Sequence, residues 1–264
     1  MNNGQVARQP QWKGWLHAGI HITAFHYPAG QVIKAHTHPG WHIVIPRAGH
    51  ITWEAHQLPA LHAAGVVFPP HVTHRANNVA GHLSIFIDTW HLQLGPGHRR
   101  AIPLDLPTAE HVRHLWPLVD AGDPDERAQE TVALLRRRDL LPRRAAIDPR
   151  VAAALQNLAV AECLDQVAAA VRLSPSRLRA LVNEQTGAPP AQWRMWQRLR
   201  TAILDLPAKP IALAAIDAGF ADQAHLTRTA TRLVGQTPGD LARVLNAAYH
   251  GRHDDHRPSL TAAA

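Results

Sequence analysis

Four histidines in the first third of the chain have the type and spacing to bind a metal ion. His36 and His38 are two residues apart, so on a β-strand their side chains would face the same way. His42 follows a Pro-Gly turn, and His74 would arrive from another strand. Four imidazoles that meet in one interior suit Zn, Ni, Cu or Fe. The sequence therefore predicts a transition-metal site formed by these four residues.

The elements that must position these histidines are short strands. Apolar runs at 42–45, 51–53, 66–68 and 83–87 are separated by glycine and proline, and this spacing predicts a sandwich or a small barrel. Sixteen of the 20 histidines lie before residue 115, which indicates that the two halves of the chain do different chemistry.

After Pro107 the pattern changes to helical periodicity. It predicts helices over 110–119 and 125–141, and then a nearly continuous helical region. The predicted fold class is α+β multidomain, with an N-terminal β-barrel followed by an all-α domain that has two helix-turn-helix units. The predicted segments are the barrel at 1–104, a helical linker and dimerisation region at 105–148, the helical domain at 149–249 and a disordered tail at 250–264.

The two helix-turn-helix patterns lie about fifty residues apart in the helical domain. In the first, a supporting helix begins at Leu164, Ser174 caps the next helix and Gly187 ends it. In the second, Gly219 lies at the turn and Asp222 caps the second helix. The residues expected inside this second unit are Ile211, Leu213, Ile216, Leu226, Ala230 and Leu233.

The second helix of each unit is the one that enters the DNA major groove, so its polar face is expected to contact DNA. Arginine can bind guanine with two hydrogen bonds and glutamine can bind adenine, whereas serine and threonine can equally hold phosphates. The expected DNA-binding residues are Ser174, Ser176, Arg177, Arg179, Asn183, Gln223, Ala224, His225, Thr227, Arg228 and Arg232, with Thr229 on the same face.

A long helix is expected to connect the two units. Trp193, Trp196, Leu199, Ile203 and Leu206 fall on one stripe, which predicts a packed core rather than a platform for stacking bases. Seventeen helical residues would span roughly 25 Å. With the helices packed at its ends, such a rod can hold two recognition helices about one DNA turn apart, roughly 34 Å.

The helical domain resembles the AraC/XylS family of bacterial transcription regulators over about residues 150–247. The resemblance implies a double-stranded DNA partner, a homodimer, a contact with RNA polymerase and an effector-sensing barrel. It departs from the family pattern at Val182 and Ala230, where Phe is usual, and at Ala180, where a base-reading residue is common. The residues that carry the likeness are 164–168, 173–178, Gly187, 198–200, Ala202, 218–223, 225–228 and 235–238.

The segment from Gly30 to Gly49 is similar to the first motif of a cupin barrel, and 65–78 is a looser match to the second. In the family pattern an acidic residue stands where this chain has His42, so four neutral nitrogens would leave the metal's charge uncompensated. The likeness also allows an alternative, because barrel histidines in regulatory cupins can line a pocket for an organic ligand. Either a metal ion or a small molecule is therefore the expected effector.

Composition narrows the partners. The formal charge of +7 and the pI near 10.6 favour a polyanion. No apolar run approaches the roughly 20 residues that span a bilayer, and the first ten residues are polar, so the cytoplasm is the expected compartment. The single Cys163, beside Leu164, is expected to be a small buried hydrophobe.

Two other classes of function remain at this point. A metal-dependent cupin oxygenase or isomerase fused to a helical domain would use the same four histidines around a catalytic metal. Four protein ligands leave less room for a substrate, and Glu54 and Asp88 are the only acids before Asp105. A structural or metal-storage protein is the third class, and the paired helix-turn-helix units argue against it.

Overall fold

The structure is a computed structural model, and it describes residues 15–18, 22–55, 61–77, 80–90, 100–117, 123–141 and 146–245. The predicted tail at 250–264 and the arginines at 143–144 lie outside these residues. Among the described residues, no helix has the length and apolar character needed to cross a membrane.

The N-terminal part forms two antiparallel sheets. The larger has the order β1-β2-β8-β3-β6-β9, and the smaller has the order β5-β4-β7. Short runs rich in Val, Ile and Phe, bounded by glycine and proline, favour such short strands. The bounds are β1 Trp15–Ala18, β2 Ile22–Tyr27, β3 Trp41–Pro46, β4 Ile51–Ala55, β5 Leu61–Ala63, β6 Gly65–Phe68, β7 His74–Asn77, β8 His82–Ile87 and β9 Ile102–Leu104.

The two sheets share an apolar interior, to which β3 and β6 contribute Val44, Val66 and Phe68, and β4 contributes Ile51 and Trp53. The opposite face of the larger sheet is covered by two helices, α1 (Leu106–Leu115) and α2 (Pro124–Arg137). The strands are therefore buried on both faces, which is why β2, β3 and β8 read as continuous rather than alternating apolar runs.

Helices α1 and α2 begin and end earlier than the sequence pattern predicts. Asp105 accepts a hydrogen bond from the Thr108 amide, which starts α1 before the expected residue 110. Asp123 caps α2 in the same way. The prolines that follow these caps fit the first turn of a helix, because their missing N–H has no intrahelical partner there.

The C-terminal part is helical throughout the described residues. Its elements are α3 Pro149–Asn157, α4 Leu164–Ala170, α5 Pro175–Thr186, α6 Pro190–Asp205, α7 Ile211–Asp217 and α8 Gln223–Val234, followed by helical residues 238–245. The α+β fold class, with a cupin-like barrel and then an all-α domain, is confirmed. The expected end of the last helix, at 248, lies outside the described residues.

The helix-turn-helix caps lie where the sequence predicts them. The Ser174 hydroxyl accepts from the Arg177 amide and Asp222 accepts from the His225 amide, while Gly187 and Gly235 end α5 and α8 with positive φ. The buried tryptophan stripe of α6 is confirmed as well.

The prediction for the core of α7 is wrong at two positions. Leu213 and Ile216 are 49% and 55% exposed, whereas Ala214 and Ala215 are buried. Phe220, just after the helix, is buried in the core cluster together with these alanines. The expectation for Cys163 is also wrong, since the thiol is exposed at the cap of α4.

One continuous apolar cluster joins the barrel to the helical half. It contains Phe25, Phe86 and Trp90 from the strands and their flanks, together with Trp193 and Trp196 from α6. Trp90 and Trp193 pack edge to face, with their ring centroids 4.7 Å apart. The two halves therefore form one packed unit in this structure.

Candidate metal centre and nucleic-acid interface

The four predicted histidines come together, although the backbone that carries two of them differs from the prediction. His36 and His38 do not lie on a regular strand. Instead, His36 forms an isolated antiparallel bridge with His74, with both N···O distances 3.0 Å. His42 lies in β3 and His74 begins β7. All four side chains are buried, and one nitrogen from each lies within 4.8 Å of the others.

The outward nitrogens of three histidines are held by backbone carbonyls. The Nδ1 atoms of His36, His38 and His74 lie 2.9, 2.8 and 2.8 Å from the carbonyls of Lys34, Gly40 and Val72. Since a carbonyl only accepts, each Nδ1 carries the proton and each Nε2 is left unprotonated. This fixes the tautomer and aims Nε2 inward, as in metal-binding histidines with carbonyl partners. The Nε2 atoms of His36 and His38 have a free lone pair, whereas Nε2 of His74 can accept from His42.

His42 completes the set with the opposite ring nitrogen. Its Nδ1 lies 3.0 Å from Nε2 of His74, and its Nε2 lies 3.1 Å from the Ser84 hydroxyl. A hydroxyl both donates and accepts, so Ser84 serves either tautomer of His42. With the proton on Nε2, the His42 Nδ1 lone pair joins the three inward Nε2 atoms.

This donor set fits a tetrahedral transition-metal ion. Metal–nitrogen bonds of 2.0–2.1 Å place tetrahedral donors about 3.3 Å apart, whereas the donor atoms here lie within 4.8 Å of one another, so a bound ion would draw them together. The inward Nε2 atoms of His36 and His38 are buried and have no hydrogen-bond partner within the described structure. Buried acceptors without a partner carry a free-energy cost, and a bound cation would remove it.

An apolar wall surrounds the histidines. Phe86 stacks on His42 with ring centroids 4.1 Å apart, and Phe68 stacks on His74 at 3.8 Å. Trp196 of α6 packs against His38 at 5.8 Å, so the helical half forms part of this wall.

The histidines are held neutral by their surroundings. Burial lowers the pKa of His36 to about 4. Burial, and then the proximity of the other histidines, lowers the pKa values of His38, His42 and His74 well below the usual range. Neutral imidazole is the form that binds metals, so the site is ready to bind a cation at neutral pH.

Another buried histidine, which is not one of the candidate ligands, offers a test of this environment. His82 stacks on Tyr27 with ring centroids 4.8 Å apart, and burial lowers its pKa to about 4. Between this value and about 6.5 the unfolded chain binds a proton that the folded chain does not, so stability falls as the pH falls through this window.

When the pH is lowered from 7 to 5, we expect the free energy of unfolding to fall by about 2 kcal/mol less in His82→Phe than in the parent chain. The reason is that the variant has no imidazole at position 82 to take up a proton on unfolding. Urea unfolding at the two pH values, at constant ionic strength, measures the difference. His62→Phe is the control, because His62 is exposed. Equal pH dependence in His82→Phe and the parent chain would contradict the assignment.

The second feature with functional chemistry is the pair of recognition helices. In α5, the side chains of Ser176, Arg177, Arg179 and Asn183 are exposed, and Ser174 caps the helix. Exposed Ala180 lies among them, so polar contacts from this surface would come from its neighbours. The predicted DNA face of α5 is therefore accessible.

In α8, the accessible face runs along one side of the helix. Gln223, Ala224, Arg228 and Arg232 are exposed, and His225 and Thr227 are half-buried. Thr229 is buried, so its expected place on this face is wrong. It lies on the side of α8 that packs against the core with Leu226 and Ala230. Residues three, four and seven positions apart share one face of a helix, and positions 226, 229, 230 and 233 have this spacing.

Sequence reasoning missed a buried ion pair between the two halves. Arg200 of α6 bonds Asp88 at 3.1 Å, and it also donates to the Thr23 hydroxyl and the Ile22 carbonyl. The other Asp88 oxygen accepts from the Trp196 indole N–H at 2.9 Å. Asp88 is one of only two acids before residue 105, which is the feature of the sequence that singles it out.

The helix-turn-helix region matches known proteins. A family model described as "Helix-turn-helix domain" matches residues 167–243. The arabinose operon regulatory protein of Salmonella typhimurium is 32% identical over 140 residues, covering 47% of this chain and 50% of that protein. Its Escherichia coli counterpart is 31% identical over 140 residues, covering 47% and 48%. The chain thus spans about half the length of these curated relatives.

The fold of the whole chain also has a counterpart. ToxT from Vibrio cholerae superposes with a TM-score of 0.56 at 7% identity, covering 88% of this chain and 99% of that structure. ToxT bound to an unsaturated fatty acid gives a TM-score of 0.51 at 8% identity, covering 89% and 96%. Identity this low shows a shared fold alone. The helical half of this chain contains a helix-turn-helix domain and is similar in sequence to the arabinose operon regulatory proteins.

Proposed function

We propose that the chain is a transcription factor that reads two successive major grooves with α5 and α8 and responds to a transition-metal ion held by His36, His38, His42 and His74. The observation that carries the first part is the pair of exposed, basic recognition faces on one helical scaffold. The observation that carries the second is the buried set of four inward-facing imidazole nitrogens.

The DNA part of the proposal rests on accessibility and charge. Arg177 and Arg179 on α5, and Arg228 and Arg232 on α8, are all exposed. The net charge of +7 adds a general attraction to the phosphate backbone. Helix α6 links the two units with 16 residues, a length of roughly 24 Å, which suits recognition helices one DNA turn apart.

The metal part rests on the chemistry of the barrel interior. A fatty acid is bound in one ToxT structure, and a carboxylate of that kind needs a cationic partner in a buried site. Here the four imidazoles are neutral, and buried Arg200 already bonds Asp88. The interior therefore favours a cation over an anionic lipid, with Zn, Ni, Cu and Fe as the candidates.

The same proposal covers the remaining partners. The chain would act as a homodimer through the region at 110–141, whose helices pack on the sheet with one face and leave Glu110, His111 and Glu130 exposed. RNA polymerase would be the partner on bound DNA, and the cytoplasm the compartment. An enzymatic role is not part of the proposal, because the curated relatives are named as operon regulators.

We expect Arg228→Ala to weaken binding to a selected DNA duplex by about 1–3 kcal/mol, which is roughly 5- to 150-fold, because Arg228 reads a guanine in the groove. The duplex is obtained by selecting a random library on the parent protein, and affinity is measured by fluorescence anisotropy for selected and random duplexes. The preference for the selected sequence should fall with the affinity.

Arg100→Ala is the matched control, because Arg100 is an exposed arginine outside both the recognition helices and the proposed dimer region, and its replacement removes the same charge. It should change both affinities by less than twofold. An equal loss for selected and random duplexes in Arg228→Ala would make Arg228 a phosphate contact. No binding of the parent protein to any duplex beyond its binding to heparin would overturn the DNA part of the proposal.

A further inference from the structure

The strand segment that carries His36 is hydrogen-bonded to the end of the second recognition helix. The Lys34 amide donates to the Gly235 carbonyl at 2.9 Å, and the Thr37 amide donates to the Arg232 carbonyl at 3.1 Å. These two carbonyls belong to the last turn and the cap of α8, where helical carbonyls lack an intrahelical partner. The barrel therefore supplies the partners that end α8.

Gly235 is in direct contact with the histidine site. Its φ is +72°, a conformation that glycine adopts readily. A Cβ atom at this position would collide with the Lys34 carbonyl oxygen and would lie 2.8 Å from Nδ1 of His36. That carbonyl is the acceptor that fixes the tautomer of His36. A single backbone position on the DNA-binding half thus touches both a candidate ligand and its hydrogen-bond partner.

The first recognition helix ends against the same part of the barrel. The Thr89 hydroxyl donates to the Thr186 carbonyl at 3.3 Å, and the backbone of Gly187 lies close to the side chain of His71. The His71 amide in turn donates to the His38 carbonyl at 2.9 Å. Both recognition helices are therefore held at their C-terminal ends by residues next to the histidine site, while their DNA-facing sides remain exposed.

We propose that Gly235 is the positioning residue through which the histidine site and the second recognition helix affect each other. This inference rests on the proposed function and names the route of its regulation. Metal binding draws the His36 ring inward, and the Lys34 carbonyl follows through its bond to Nδ1. The Lys34 amide and Gly235 then fix the end of α8 relative to the end of α5, which sets the spacing of the two DNA-facing surfaces.

Such coupling is reciprocal, because linkage requires that a metal ion changes the DNA affinity by the same factor as DNA changes the metal affinity. The first recognition helix is tied to the segment that carries His38, and the second to the segment that carries His36. Moving one helix relative to the other therefore moves two ligands relative to each other. A duplex that selects one helix spacing will shift metal affinity.

The test compares two glycine substitutions in the full chain. In Gly235→Ala the methyl group displaces the Lys34 carbonyl, and we expect Co²⁺ affinity, followed by its visible absorption, to fall 10- to 100-fold, the usual effect of losing a ligand's hydrogen-bond partner. Gly219→Ala is the matched control. Gly219 also has a positive φ, +82°, and lies in the same domain, but its nearest neighbour is the flexible Arg198 guanidinium.

Equal Co²⁺ affinities for the two variants would overturn the inference. A second measurement covers the case in which Gly235→Ala fails to fold. In the parent chain, adding Co²⁺ should slow hydrogen exchange at the Lys34 and Thr37 amides at least fivefold, because these amides donate to α8. Unchanged exchange at both amides in Co²⁺-loaded protein would also overturn it.

Failure of the coupling is distinguishable from failure of the proposed function. If the parent chain binds no Co²⁺, the metal site itself is absent and the inference falls with it. If Co²⁺ and the selected duplex change each other's affinity in the parent chain, and Gly235→Ala leaves that change intact, then the proposed function stands and the coupling through Gly235 does not.

Discussion

Replacing His36 and His38 together by glutamine is expected to abolish tight binding of Zn²⁺ and Co²⁺. The two Nε2 atoms are half of the donor set, and both lack another partner within the described structure. Glutamine keeps a hydrogen-bonding side chain in each place, so the loss reports on coordination rather than on an empty cavity. We expect metal affinity to fall by about three orders of magnitude, since even losing a ligand's hydrogen-bond partner costs 10–100-fold.

Thermal unfolding gives a second measurement of the same change. Metal at 1,000 times its dissociation constant stabilises the folded chain by about 4 kcal/mol, which for a chain of this size raises Tm by about 10 °C. The double variant should show less than a fifth of this rise at the same metal concentration. Metal content is determined in parallel by elemental analysis of the purified protein.

The control is the double substitution His50→Gln with His62→Gln, where both side chains are exposed and lie outside the proposed dimer region. This pair removes the same number of imidazoles without touching the barrel interior, so its metal content and its Tm should match those of the parent chain. A metal stoichiometry in His36→Gln/His38→Gln equal to that of the parent would remove the proposed site.

Breaking the ion pair between the barrel and α6 is expected to have the second largest effect. The Arg200 side chain is 10% exposed and the Asp88 side chain 2%. In Asp88→Ala the charge of Arg200 therefore stays buried without its carboxylate partner. Such a change costs about 3–5 kcal/mol. Urea unfolding at pH 7 measures the loss, and we expect no comparable loss from an exposed pair.

Glu54→Ala is the matched control for that comparison. Glu54 and Arg75 form an ion pair with an N···O distance of 2.7 Å, but their side chains are 46% and 45% exposed. Solvent screens such a pair, so its removal should cost less than about 1 kcal/mol. Equal losses from the two substitutions would show that Asp88 contributes no more than a surface charge.

A double variant separates the charge from the packing. Asp88→Leu combined with Arg200→Met removes both charges and keeps apolar volume between the barrel and α6. Replacing a buried pair by apolar residues is often neutral, so the double variant should recover most of the stability lost in Asp88→Ala. No recovery would show that the hydrogen bonds to Thr23, Ile22 and Trp196 matter more than the charge pair.

Local chemistry made the recognition helices predictable. Ser174 and Asp222 are caps, and Gly187 and Gly235 adopt positive φ, so these four residues fix where α5 and α8 begin and end. The central strands β3 and β8 of the larger sheet could also be predicted, because they are buried on both faces and most of their residues are apolar. In each case the residues that determine the element lie within it.

The predictions failed where contacts with residues outside the local sequence pattern determine which side chains are buried or how they are oriented. Leu213 and Ile216 follow a valid helical stripe, but α7 buries its alanines in the core cluster together with Phe220 instead. Within the site, the four histidines could be found from their type, whereas the carbonyls that orient them depend on loop backbone at Lys34, Gly40 and Val72. The Asp88–Arg200 pair joins residues 112 positions apart, and spacing along the chain carries no information about it.

The apolar cluster shared by Phe86, Trp90, Trp193 and Trp196 has a consequence for how this protein can evolve. Many regulators acquire new inputs by recombining whole modules, but a foreign sensory half grafted here would leave two tryptophans facing water. Response to a different stimulus is therefore expected to arise through point changes inside the existing barrel, with the tryptophan-lined seam kept intact.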